Sequence, residues 1–114
     1  MKRDDDALLA VFTSTDSRDE ALRIASALVQ RGLVACAQVS AIDSVYVWDG
    51  ALQQQGEFRL LLKTTARQYP AVEAAIRELH GYELPAIFAL PVAQADAAYA
   101  GWVRRQSAGG LPGA

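Results

Sequence analysis

"LVACAQVSAIDSVYVWDG", residues 33–50, is rich in β-branched and aromatic residues and closes on Asp49-Gly50. That dipeptide suits a two-residue hairpin turn, whose central positions need positive φ. "EFRLLLKT" (57–64) reads as the returning strand. If 33–48 is one strand, it runs roughly 50 Å at about 3.3 Å per residue. A compact domain of this length has a diameter of roughly 35 Å. The ribbon therefore either bends at a bulge near residues 40–43 or projects as an arm. An arm carrying Val45, Tyr46, Val47 and Trp48 leaves apolar surface and open strand edges that another chain must cover. The expectation is the arm, and with it an oligomer.

Working outward, "ALLAVFT" (7–13) is a short apolar run and reads as a buried strand. Ser17 with Glu20 three positions later forms a capping box, and Ala21, Ile24, Ala25, Leu28 and Val29 then fall on one helical face. Gly32 ends that helix by accepting a left-handed conformation. Beyond the hairpin, Pro70 and the stripe Val72, Ala75, Ile76 and Leu79 mark a second helix. "AIFALPV" (86–92) is a third buried run, and Ala95, Ala98, Tyr99, Trp102 and Val103 give a last short helix. The order β-α-β-β-α-β plus a C-terminal helix is the split βαβ arrangement, an α+β ferredoxin-like fold. "MKRDDD" (1–6) and "QSAGGLPGA" (106–114) have nothing to bury and are expected to be disordered tails around a single domain at 7–105.

Eleven basic and thirteen acidic residues give a net charge of −2. That balance offers no long-range attraction for nucleic acid or an anionic membrane surface. No apolar run approaches the roughly 20 residues of a membrane span, and the first residues make a poor signal peptide. The single cysteine cannot form an internal disulfide, which fits a reducing compartment and a cytoplasmic location.

His80 is the only histidine. It sits in phase with the second helix's apolar stripe, and Gly81 follows as a terminator, so a helix-ending role accounts for it without a ligand. A metal centre needs three or four ligands. One chain can offer only His80, Cys36 and carboxylates such as Glu83 or Glu57. Cys36 reads as a packed thiol, although thiol affinity for Cu(I) keeps a metal role open. Tyr46, Trp48 and Tyr82 suit an interface or the wall of a pocket. Glu57 and Lys63 share one face of their strand and suit an ion pair. Phosphate-binding loops are absent. The RNP1 aromatics of an RNA-recognition domain, the CxxC of a copper chaperone and the anion cradle of an acylphosphatase are absent too, and no nucleophile–base pair points to an enzyme.

"ALRIASALVQRGLVACAQV", "SVYVWDG", "LLLKT", "LHGYELPAI" and "YAGWV", in that order, resemble the CutA divalent-cation-tolerance proteins from about Leu8 to Arg105. The resemblance implies a cytoplasmic, non-enzymatic homotrimer of ferredoxin-like subunits, similar in architecture to PII signalling trimers. It also implies tolerance to metal ions, with copper or another divalent cation as ligand. On this chain it places the metal candidates at His80, Cys36 and Glu83, and an intersubunit cleft at Tyr46, Trp48, Glu57, Lys63 and Tyr82. The alternative within the same frame is a PII-like signalling or scaffold trimer that binds a small molecule or partner protein in its clefts. Three positions depart from the family pattern: Gly81 stands where proline is usual, Ala86 where glutamate is common, and Gln38 where asparagine is usual.

Overall fold

The hairpin forms without a bulge. A computed structural model describes residues 5–109. Its elements are β1 (Leu8–Thr15), α1 (Arg18–Gln30), β2 (Cys36–Trp48), β3 (Ala51–Thr65), α2 (Tyr69–Leu79), β4 (Phe88–Pro91) and α3 (Ala97–Gln106). β2 and β3 pair in unbroken antiparallel register from Cys36↔Lys63 to Trp48↔Ala51. Asp49 and Gly50 turn the chain at φ of 51° and 76°, the geometry of a type I′ turn. β1 reaches along β3 only from Thr65 to Phe58. Beyond Phe58 no third strand joins the ribbon among the described residues, so the projecting arm is the alternative realised.

The sheet is antiparallel throughout, in the order β2-β3-β1-β4. α1 and α2 cover one face. Ile24 and Leu28 from α1 and Val72 and Ile76 from α2 meet Val11, Leu60 and Leu62 of the strands, all fully buried. Val29 and Leu79 complete the expected stripes from the rim of that core. Gly32, at φ 70°, ends α1 as expected. Its N–H bonds Val29 O, and the next N–H, of Leu33, reaches back to Leu28 O, the paired bonds of a Schellman motif.

On the opposite face α3 covers one end, where Ala100 and Val103 pack on Leu8 and Ala35. α3 thus differs from its expected stripe. Tyr99 and Trp102 stack on each other and stay partly exposed, while the smaller Ala100 fits the close approach to the sheet. Elsewhere on this face Phe12 stacks on Phe88 at 5.2 Å, but the run 86–92 is not buried as expected: β4 is an edge strand, and Phe88 and Leu90 on its outer face are half-exposed.

Several residues assigned to tails are tied down. Asp5 O accepts from Arg67 N–H, and Asp6 O from Arg104 Nε. Ser107 is buried, with its carbonyl bonded to Gln68 Nε2, and Gly109 N–H donates to Gly32 O. The remainder of both expected tails, 1–4 and 110–114, lies outside the described residues. No helix of the described residues is long and apolar enough to cross a membrane.

Candidate functional site

Where the arm leaves the sheet, an open cleft of about 650 Å³ lies on the face away from α1 and α2. Period-2 alternation puts Tyr46 and Trp48 of β2 and Gln55 and Glu57 of β3 on the same side of the ribbon. Ser14 and Asp16, at the end of β1, form the floor, and the loop after α2 closes the third side with Gly81, Tyr82 and Glu83.

The polar groups form one directed chain. Tyr46 Oη donates to Gln55 Oε1 at 2.7 Å, and Gln55 Nε2 donates to Tyr82 Oη at 3.2 Å. Tyr82 Oη then donates to Glu57 Oε2 at 2.6 Å. Glu57 is 7% exposed, so this short bond supplies a buried carboxylate with the donor it needs. Burial, the bond to Glu57 and the charge of Glu57 all push the Tyr82 phenol well above the usual tyrosine range. It therefore stays a proton donor.

His80 holds the loop in place. It is the C-cap of α2, with its backbone N–H on Ile76 O at 2.9 Å. Its Nδ1 accepts from Tyr82 N–H at 3.0 Å, and Nε2 lies 2.7 Å from Ser14 O. A backbone N–H can only donate and a carbonyl only accept, so the ring is the neutral Nε2–H tautomer with both nitrogens engaged. Beside it, Gly81 N–H donates to Glu20 Oε2 at 2.7 Å. This changes the expected capping box. Ser17 Oγ does accept from Glu20 N–H, but the Glu20 carboxylate turns to Gly81. A proline at 81 would have no N–H to offer it.

The structure therefore gathers Tyr46, Trp48, Glu57, Tyr82 and Glu83 around one cleft and leaves three candidates outside it. Lys63 shares Glu57's face but lies six residues, roughly 20 Å, along the strand. Its Nζ sits 5.6 Å over the Tyr99 ring. Cys36, half-buried, pairs with Lys63 at that far end. His80 sits at the other end, beside Ser14, which pairs with Arg59. Within one chain Cys36 and His80 do not meet, and among the described residues no three His, Cys, Asp or Glu side chains converge on a point. The donors of a single chain do not fit a copper centre. Sequence reasoning missed Ser14, Asp16 and Gln55. The alternation Gln53, Gln55, Glu57 carried the signal for Gln55, whereas the loop "STDSRDE" read only as a helix start.

The sequence profile of the CutA1 divalent ion tolerance protein family matches residues 9–106. The chain belongs to that family. A divalent-cation tolerance protein CutA of Thermus thermophilus is 36% identical over 98 residues, which cover 85% of this chain and 95% of that protein. The human protein CutA is 34% identical over 97 residues, covering 84% of this chain and 54% of that longer relative. Among solved structures, CutA1 of the psychrotrophic bacterium Shewanella sp. SIB1 superposes with a TM-score of 0.85 at 35% identity, covering 89% of this chain and 95% of that one. The four-stranded antiparallel sheet with three helices is thus the architecture of this CutA1-family chain and of its solved relatives.

Proposed function

We propose that this CutA1-family chain contributes to divalent-cation tolerance by binding rather than catalysis, as a homotrimer of ferredoxin-like subunits. The cleft at the root of the arm is its ligand site. The arm is the observation that carries this reading. Val45, Val47 and Leu52 share one face of it and are 60–72% exposed, an apolar display that water disfavours and neighbouring subunits would cover. The open sheet face around Phe12 and Phe88, on the other side of the ribbon, is a second uncovered surface. Each arm would lie along a neighbour's sheet, as in the PII-like arrangement the resemblance implies, and the neighbour would add a further wall to the cleft. Tyr46, Trp48, Glu57 and Tyr82 are the ligand-facing residues. The half-buried, unpaired Cys36 supports a cytoplasmic setting.

Copper binding is the second reading. It is favoured by a thiol on the sheet face where a partner would seat, and it requires Cys36 of one copy to meet His80 or Glu83 of another. The test is light scattering of the eluting protein followed by copper titration of the reduced protein against a competing chelator. A mass three times the 12.3 kDa of the chain is expected, and a monomer at micromolar concentration would overturn the assembly. Saturable copper binding lost in Cys36→Ser would establish the copper centre. Unsaturable binding shared by both proteins would remove it and leave the cleft as the site.

A further inference from the structure

We infer that the cleft takes an organic ammonium ion, an aliphatic amine or a quaternary ammonium group, in preference to a bare metal ion or an anion. The inference rests on the reading of the cleft as the ligand site and narrows its chemistry.

The sign of the ligand comes first. Asp16, Glu57 and Glu83 line the cleft, and no Lys, Arg or His is among its lining residues. The directed chain of hydrogen bonds adds to this. Tyr46 spends its proton on Gln55, and Tyr82 spends its own on Glu57. An anion entering the cleft would meet carboxylates, with neither a positive charge nor a free phenolic proton to receive it.

The size of the cation comes next. A hard metal ion draws several oxygens to within about 2.0–2.6 Å of one point. These three carboxylates belong to three separate segments: the turn after β1, the middle of β3 and the loop after α2. They border one cleft without converging. Such a spread of negative charge matches a cation whose charge and volume are also spread.

The walls supply the third argument. Tyr46, Trp48 and Tyr82 present aromatic rings to the same space. Aromatic faces attract alkylammonium groups through the ring quadrupole, and a carboxylate at the end of such a box adds a direct ion pair. The molecule pairs rings with its own cations elsewhere, with Arg59 over Phe12 and Lys63 over Tyr99.

The test is a calorimetric titration of the full chain, in its native assembly, with tetramethylammonium chloride and with 1,4-diaminobutane. Sodium chloride at matched ionic strength is the control, and magnesium chloride, copper chloride and sodium phosphate are run in parallel. Glu57→Gln keeps an oxygen to accept from Tyr82 while removing the charge, and Trp48→Leu removes an aromatic wall on the exposed arm. Saturable amine binding, weakened about tenfold by either variant and unchanged in Arg31→Met, at the end of α1 where its partner is Glu78, is the expected result. Amine heats that match sodium chloride, or that fall equally in Arg31→Met, would overturn the inference. If a metal salt saturates the protein and Glu57→Gln weakens it while the amines do nothing, the cleft remains a ligand site and the ammonium inference falls. If no probe binds, both fall.

Discussion

Replacing Tyr82 by Phe deletes one oxygen from the middle of the cleft's hydrogen-bond chain. That oxygen donates to Glu57 Oε2 at 2.6 Å and accepts from Gln55 Nε2 at 3.2 Å. A hydrogen bond to a charged group is worth about 1.5–3 kcal/mol. Tyr82 is only partly buried, and the released Gln55 amide lies close enough to replace some of the loss, so a cost of about 2 kcal/mol is expected. In urea this moves the unfolding midpoint down by about 1 M with an unchanged slope, at fixed protein concentration because the proposed assembly would contribute to stability. A double-mutant cycle with Glu57→Leu isolates the pair, and a coupling of about 1 kcal/mol or more should emerge. The pH dependence has a definite sign. Burial first, and Glu57 second, raise the Tyr82 phenol in the folded protein above its value in the unfolded chain. Its contribution is then fully present below about pH 10, the ordinary tyrosine value, and is lost as pH rises beyond it. The stability gap between the natural chain and Tyr82→Phe should be level from neutral pH to about pH 9 and shrink in stronger alkali. A cost under about 0.5 kcal/mol, or strict additivity with Glu57→Leu, would refute the account of the buried carboxylate.

Other consequences are as direct. Glu20→Ala should cost about 1 kcal/mol in this chain by removing the charged acceptor of Gly81 N–H; in a Gly81→Pro background, where that donor does not exist, urea unfolding should show a smaller cost, that of the Arg23 pair and the helix start alone. Gly81→Pro itself should change stability by under about 1 kcal/mol, because His80 already has the extended φ,ψ of −81°, 143° that suits a residue before proline. Val47→Asp, on a side chain 66% exposed within the chain, should leave circular dichroism unchanged and lower the mass seen by light scattering; an unchanged mass would count against the arm as an interface. His80→Ala should loosen the loop, with faster hydrogen exchange at Tyr82 N–H, and leave copper affinity unaltered, whereas lost copper affinity would make the ring a ligand. Ile76→Ala, at a fully buried position, should cost about 2–5 kcal/mol in chemical unfolding.

Most of the framework was legible because it rests on local signals. The stripes of α1 and α2, the Gly32 stop and the Asp49-Gly50 turn are patterns within a few residues, and the strand length alone argued for the arm. α3 was misjudged because its helical pattern offers two neighbouring stripes, and only the sheet decides that Ala100 rather than Trp102 is covered. The site divides in the same way. Tyr46, Trp48 and Glu57 share a face through alternation, which sequence shows. Lys63 obeys the same parity yet lies at the far end of the strand, since parity fixes side and not distance. The double tie of His80 was out of reach, because its bond to Ser14 O spans 66 positions and no local pattern encodes it.

The uninterrupted arm also bears on how the molecule comes together in time. Its pairs can close outward from the Asp49-Gly50 turn, each one shortening the loop for the next, and hairpins zip in about 1–10 μs. The pairing of β1 with β4 instead joins Leu9 to Pro91 and must wait for most of the chain. The ribbon is therefore poised to exist before the sheet that anchors it, with its apolar side chains already aligned. In the proposed assembly, subunit encounter would then be a race between two arms finding their seats and two arms finding each other, and protein concentration during refolding would decide which happens first.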